Sequence, residues 1–253
     1  DKELYRTPEE HTNPYYSLYS DSSVYFLTWN DVTNNERITD YYDNDYSGKS
    51  SDSFFLHEVV SSYNSLFFSG IPINNNAAQI FSEYTEGEGF VAPIYNGYYK
   101  FKVSTPLVHP SGPDASIEVL AFSSNHDNNT IINGFNHEFG ISVKSKTNII
   151  SSVKKLGYQK ISINTTFPVS DMSTTTNFFM GELSFSNSNF NVSHVKLLYP
   201  RKMNMSSISE LSVNTKFNSR YFEFSNYSSI KNSPLIYDLT NGNRIRAEKY
   251  GSN

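Results

Sequence analysis

Four aspartates, Asp40, Asp43, Asp45 and Asp52, crowd the polar stretch "DYYDNDYSGKSSDS" (Asp40 to Ser53). Carboxylates clustered on a loop are hard oxygen donors, and calcium takes about six to eight such oxygens. These four residues are therefore the calcium candidate of the chain. The spacing contains no D-x-D-x-D-G run and no glutamate at the offset that an EF-hand loop uses for bidentate binding. A solvated turn is the expected reading, with no cofactor.

Other chemistry has less to build on. The histidines are His11, His57, His109, His126, His137 and His194, and no H-x-x-x-H pair occurs among them. His57-Glu58 and His137-Glu138 are adjacent, so on a strand their side chains leave opposite faces. The sequence has no cysteine, which removes disulfides, thiolate metal sites and a cysteine nucleophile. No G-x-S-x-G elbow supports a serine nucleophile. No catalytic residue is expected, and the chain reads as a non-enzyme.

Aromatic residues are the remaining resource, with 19 Tyr, 19 Phe and one Trp in 253 residues. Trp29, Tyr41, Tyr42, Tyr46, Tyr95, Tyr98 and Tyr99 could form a platform for sugar rings. The plainer reading is that tyrosine fills strand positions while its hydroxyl reaches water.

These residues must be positioned by strands. Charged residues make up 18% of the chain and the formal net charge is −5. The low charge and abundant Ser, Asn and Thr suit strands and polar loops better than a helical bundle. The negative balance gives no reason to expect nucleic acid as a partner. No apolar run is long enough for a transmembrane helix. The chain starts at Asp1 without a signal-peptide pattern, which reads as a mature fragment, the alternative being a natural short protein.

Period-two alternation predicts strands at Gly97 to Leu107, Ala115 to Ser124, His137 to Ser145, Gly157 to Phe167, Asn177 to Ser186, Val192 to Pro200 and Ser219 to Asn226. Ser23 to Trp29 also reads as a strand, with a turn and a returning strand over Asn30 to Asp43. Phe54 to Gly70 reads as a strand ending in a short helical turn. In "VSHVKLLYPRKM" (Val192 to Met203), Val195, Leu197 and Tyr199 share one face and should be core. Lys196 and Leu198 share the other, and Pro200 should end the strand. Leu235 to Tyr250 reads as a hairpin about Asn241-Gly242 with a type I′ turn.

Short strands between polar turns imply an all-β, antiparallel β-sandwich or jelly roll. The expected division is a small N-terminal β-rich unit over residues 1–88 and a jelly-roll-like sandwich with a C-terminal hairpin over residues 89–253.

Taken in order, "NPYYSLYSDSSVYFLTWNDVTNNERI" (Asn13 to Ile38), "HEVVSSYNSLFFSG" (His57 to Gly70), "VSHVKLLYPRKM", "RYFEF" (Arg220 to Phe224) and "LIYDLTNGNRI" (Leu235 to Ile245) carry a resemblance. Together they resemble the non-catalytic β region ahead of the peptidase domain in gingipain-like cysteine peptidase proteins. The type most similar is the PorU-type sortase of the type IX secretion system. The sequence departs from that pattern in three places. Ser61 stands where the family has Asp, Gly70 is followed by Ile-Pro-Ile instead of Trp, and Tyr237 stands where Trp is common.

The resemblance implies a structural or interaction module on the extracellular face of the bacterial outer membrane. Its implied partners are outer-membrane secretion-system proteins or a downstream peptidase domain. The family's catalytic Cys and His belong to that later domain, so no catalytic residue carries over. The alternative from the residues is a carbohydrate-binding jelly-roll module with a glycan partner.

Overall fold

The computed structural model describes residues 2–20, 22, 24–26, 38–41, 45–72, 86–124, 131–185, 188–206, 208, 210–213, 221–227 and 234–248. Among them the chain is all-β, with three short 3-10 turns at Lys2–Leu4, Pro8–Glu10 and Val169–Asp171. The strands are β1 (Thr39–Tyr41), β2 (Phe54–Ser62), β3 (Leu66–Ser69), β4 (Glu88–Val91), β5 (Tyr95–Asn96), β6 (Tyr98–Ser104) and β7 (Ala115–Ser123). They continue as β8 (His137–Val143), β9 (Ile149–Lys155), β10 (Lys160–Phe167), β11 (Thr175–Glu182), β12 (Asn189–Lys202), β13 (Leu235–Asp238) and β14 (Asn243–Arg246).

Contacts divide the chain into two units. One comprises Asp1–Ser22 and Leu56–Arg201, the other Ser23–Phe55 and Lys202–Asn253. The boundary expected at residue 88 falls at the first residue of β4, inside the larger unit.

The larger unit is a sandwich. One sheet has the order β10-β7-β12-β2, with β5 also on β12, and the other runs β6-β11-β8-β9. A two-stranded ribbon, β3-β4, stands beside them. The alternation explains the packing. Ile117, Val119 and Ala121 of β7, Ile161 and Ile163 of β10, and Val195, Leu197 and Tyr199 of β12 turn inward from the first sheet. Phe101 and Val103 of β6, Phe139, Ile141 and Val143 of β8, and Phe178 and Met180 of β11 turn inward from the second, and all belong to one buried core. Each fully buried side chain of this kind contributes roughly 1.5–3 kcal/mol.

One irregularity matters for the site. The pairing of β12 with β7 shifts register between Val192 and His194, leaving Ser193 as the extra residue of a bulge. The bulge resets the alternation, so Phe190 and Val192 point inward before it and Val195, Leu197 and Tyr199 after it.

Several strand readings change. β12 runs through Pro200 to Lys202. Its ladder with β7 has already ended at Leu198↔Ser116, so Pro200 is not asked for a donor on that side, and its carbonyl accepts the His109 N–H at 2.9 Å. Phe54 to Gly70 holds two strands and no helical turn, because Phe67 and Phe68 pair with Phe90 and Gly89. Val24 to Phe26 are irregular and exposed; the rest of Ser23 to Trp29 lies outside the described residues, as do residues 30–37 and 42–43. In place of a strand over Ser219 to Asn226, the described residues make a single parallel bridge, Asn204↔Ser225.

The smaller unit contains a sheet of order β1-β14-β13. β13 and β14 are the expected hairpin, with Asp238 opposite Asn243. Its loop has four residues, Leu239 to Gly242, in place of a tight type I′ turn. The Asp238 carboxylate accepts the N–H groups of Thr240 and Asn241 at 3.0 and 3.1 Å, which starts the turn early. Gly242 then takes the left-handed position, at φ +67°. β14 pairs in parallel with β1, more than two hundred residues away in sequence, with Asp40 opposite Arg244.

Candidate binding sites

The register of the first sheet builds a polar depression on its outer face. Ser116 and Glu118 of β7 point outward between the inward Ala115, Ile117 and Val119. Asn164 of β10 lies opposite Glu118 on one side, and Lys196 of β12 lies opposite it on the other. In the next row Ser116 faces Leu198. Glu58 of β2 completes the lining with these residues. Lys196 Nζ bonds Glu118 Oε2 at 3.1 Å. That bond, together with the nearby Glu58 charge, raises the Lys196 pKa against the opposing effect of burial.

The N-terminal segment adds an aromatic ring. Ser193, exposed to bonding by the bulge, donates its hydroxyl to Thr12 O at 3.2 Å. Asn13 Nδ2 donates to Tyr63 O and Phe90 O at 3.1 and 2.8 Å, and Asn13 Oδ1 accepts the Ser62 hydroxyl. Thr12 Oγ1 accepts the Gly87 N–H. Fastened this way, the segment sets the half-exposed Tyr15 ring edge-on to His194, with centroids 5.3 Å apart. Tyr15 feels Lys196, Glu58 and Glu118, while burial pushes its hydroxyl pKa up. Burial holds the His194 pKa below its ordinary 6.5, with Glu118 opposing and Lys196 adding to that effect. The depression therefore offers carboxylates, an ammonium, an amide, a hydroxyl and an apolar branch in one place, and the Tyr15 ring lies against His194 on the strand that carries Lys196.

Among the described residues the aromatic candidates do not gather into one platform. Tyr95 and Tyr99 stack on each other at 4.0 Å, and burial pushes both hydroxyls up to about 12. The Tyr98 ring lies against Gly181, with Lys146 Nζ 4.8 Å from its centroid. Tyr46 stacks on Tyr221 at 5.2 Å within the smaller unit. Tyr41 is exposed, and Trp29 and Tyr42 lie outside the described residues.

The four aspartates have separate places. The Asp40 carboxylate is engaged by Arg244 through Nε at 2.6 Å and Nη2 at 2.9 Å. Asp45 is bonded by the Ser47 side chain and accepts the Ser47 N–H in a local turn, and these two bonds lower its pKa. The Asp52 N–H bonds Tyr221 O at 3.0 Å. Asp43 lies outside the described residues. Among the described residues no three acidic or histidine side chains gather as metal ligands.

Two serine–histidine pairs occur among the described residues, Ser188 Oγ with His137 Nδ1 at 2.6 Å and the neighbouring Ser193 Oγ with His194 Nδ1 at 3.2 Å, and all four residues are buried. His137 also stacks on Phe139, which fits a packing role at the edge of the core.

The sheet of the smaller unit presents a different surface. β13 is an edge strand with Leu235 at 72% and Tyr237 at 46% exposure, and Leu239 in the following turn is 91% exposed.

No protein-family model and no curated protein matches the sequence. Solved structures do match at the level of backbone. Dimeric latent PorU from Porphyromonas gingivalis aligns at TM-score 0.47 and 8% identity, over 67% of this chain and 15% of that one. The CBM36-1 domain of a multidomain xylanase from the hindgut metagenome of Trinervitermes trinervoides aligns at TM-score 0.29 and 10% identity, over 56% of this chain and 96% of that one. A family 35 carbohydrate binding module from Clostridium thermocellum aligns at 0.27 and 13%, over 57% and 90%. This chain thus spans about one seventh of the PorU chain.

Sequence reasoning placed Lys196 and Leu198 on the outward face, but it did not connect them with Tyr15, Glu58, Ser116, Glu118 and Asn164. The alternation of β7 and β10 contained part of that signal. The position of Tyr15 depends on a bulge that has no signature in residue types alone.

Proposed function

We propose that this chain is a non-catalytic binding module of a bacterial cell-surface protein and that the sandwich holds a glycan at the outer face of β7, β10, β12 and β2. The observation that carries the reading is the convergence of Glu58, Ser116, Glu118, Asn164 and Lys196 about one depression, with the Tyr15 ring set against His194 two residues before Lys196 on the same strand. Sugars present hydroxyl groups around an apolar C–H face. A few fixed polar groups beside an aromatic ring match that chemistry. Depletion of the protein by insoluble polysaccharides tests it. The wild type should be retained by at least one polymer, and an Asn164→Ala, Tyr15→Ala double variant that keeps its melting temperature should not. Retention by none, or equal retention of both proteins, overturns the reading.

A second reading follows the PorU-like resemblance. In it the module presents a downstream peptidase domain or meets outer-membrane proteins of the secretion machinery. The exposed apolar edge of β13 favours it, because such surface marks interaction sites. Hydrogen exchange over Leu235 to Arg246 should then slow in a longer protein that carries a peptidase domain after this module. Unchanged exchange in the longer protein removes the support for a downstream domain.

For the acidic stretch, the engagement of Asp40 by Arg244 favours the turn over an ion site. Added calcium is expected to leave the melting temperature unchanged. A rise reversed by chelator would restore the ion, since a ligand of the native state stabilises it.

A further inference from the structure

The charges in the depression do not balance. The carboxylates of Glu58 and Glu118 stand with one ammonium, Lys196, and that ammonium is bonded to Glu118. Glu58 is exposed at the middle of β2, and among the described residues its carboxylate makes neither a side-chain hydrogen bond nor an ion pair, although its charge acts on Lys196. A uronic acid or other anionic sugar would meet two carboxylates and an ammonium already engaged. A neutral sugar would leave the excess negative charge unanswered. We propose that the ligand of this depression is an amine-bearing glycan, and that Glu58 receives its protonated amine.

This inference rests on the glycan reading and narrows it to a substrate class. The neighbouring groups divide the remaining work. Asn164 offers an amide donor and acceptor and Ser116 a hydroxyl to the sugar's oxygens. Leu198, opposite Ser116 across the ladder, offers an apolar surface to the ring's C–H face. Tyr15 supplies a ring near the same charges, held there by the bonded Thr12 and Asn13. The ion pair with Glu118 keeps Lys196 beside Glu118. Lys196 would therefore repel the amine least when the amine approaches from the Glu58 side.

Calorimetric titration of the whole chain with three soluble probes tests the proposal. The probes are a glucosamine oligomer, the matching N-acetylglucosamine oligomer and a cello-oligosaccharide, used at a pH where the free amines are protonated. An exposed charge pair strengthens binding modestly, so the glucosamine oligomer should bind about two- to fivefold tighter than either neutral probe. The preference should shrink with added salt. Glu58→Gln should abolish the preference, bringing the glucosamine oligomer to the affinity that the same variant shows for the neutral probes. Equal or tighter binding of the neutral probes, or a preference that survives Glu58→Gln, overturns the inference but leaves the glycan reading standing. Binding of none of the three by a folded protein overturns this inference; if that protein is also retained by no polysaccharide, the glycan reading falls as well.

Discussion

The sandwich and the small sheet are both built from short strands, but they draw their order from different sources. In the sandwich the inward residues of both sheets join one buried core, and Ile117, Val119, Phe139, Phe178 and Leu197 have no exposed surface. In the sheet of β1, β14 and β13 every residue of β13 and β14 is at least partly exposed. Its order comes from ladder pairing, the Asp238 turn and the paired Asp40 and Arg244. Burial thus fixes one region, and local polar geometry fixes the other. A region fixed by burial can hold polar groups rigidly on its outer face. A region fixed by turn chemistry leaves its apolar side chains available.

The largest expected effect separates the two regions directly. Val195→Asp places an unpaired charge in the core and should abolish cooperative thermal unfolding, a loss of more than about 4 kcal/mol. Leu235→Asp on the exposed edge strand should change stability by less than about 0.5 kcal/mol. Circular dichroism melts of the two variants give the comparison. Similar melts would mean that β13 is covered or that Val195 is not core.

A smaller effect tests the small sheet alone. Gly242→Val forces a β-branched residue into the left-handed region, at a cost of about 1–2 kcal/mol. Amides of Leu235 to Arg246 should exchange faster, and those of Ile117 to Ala121 should be unaffected. Loss of protection in β7 as well would join the two regions into one cooperative body.

The legibility of the sequence follows the same division. The strands of the sandwich could be read because alternation such as Ile161-Ser162-Ile163-Asn164 records which side is buried. β9 was missed because Ile149 to Lys155 lies at a sheet edge and is mostly polar or half-exposed, so its pattern is weak. The hairpin was found from Asn241-Gly242. Its turn type was misread because Asp238 competes for the backbone donors. The parallel pairing of β1 with β14 had no local signature, since its register is fixed by contacts across most of the chain. The site was legible only where it lies on regular strands, at Lys196 and Leu198. Tyr15 reaches it through the Ser193 bulge and the buried Thr12 and Asn13.

The smallest effect concerns the N-terminal segment against the sheet face. His194 is held below its ordinary 6.5 chiefly by burial. The unfolded chain takes up a proton as the pH falls through 6.5, while the folded chain resists it. The stability from His194 is therefore complete above that value and declines as the pH falls toward the folded pKa. Denaturant melts should become shallower in pH dependence with His194→Gln. An identical pH slope in both proteins would mean that His194 is not buried beneath Tyr15.

The central claim is that the sandwich binds a glycan at its outer face while the small sheet takes no part in that contact. Amide and side-chain NMR of the whole chain, titrated with the oligosaccharide that binds best, tests it most directly. The account predicts shifts confined to Tyr15, Glu58, Ser116, Glu118, Asn164, Lys196 and their immediate neighbours. Shifts centred on Leu235 to Arg246, with the outer face of β7 unmoved, would contradict it.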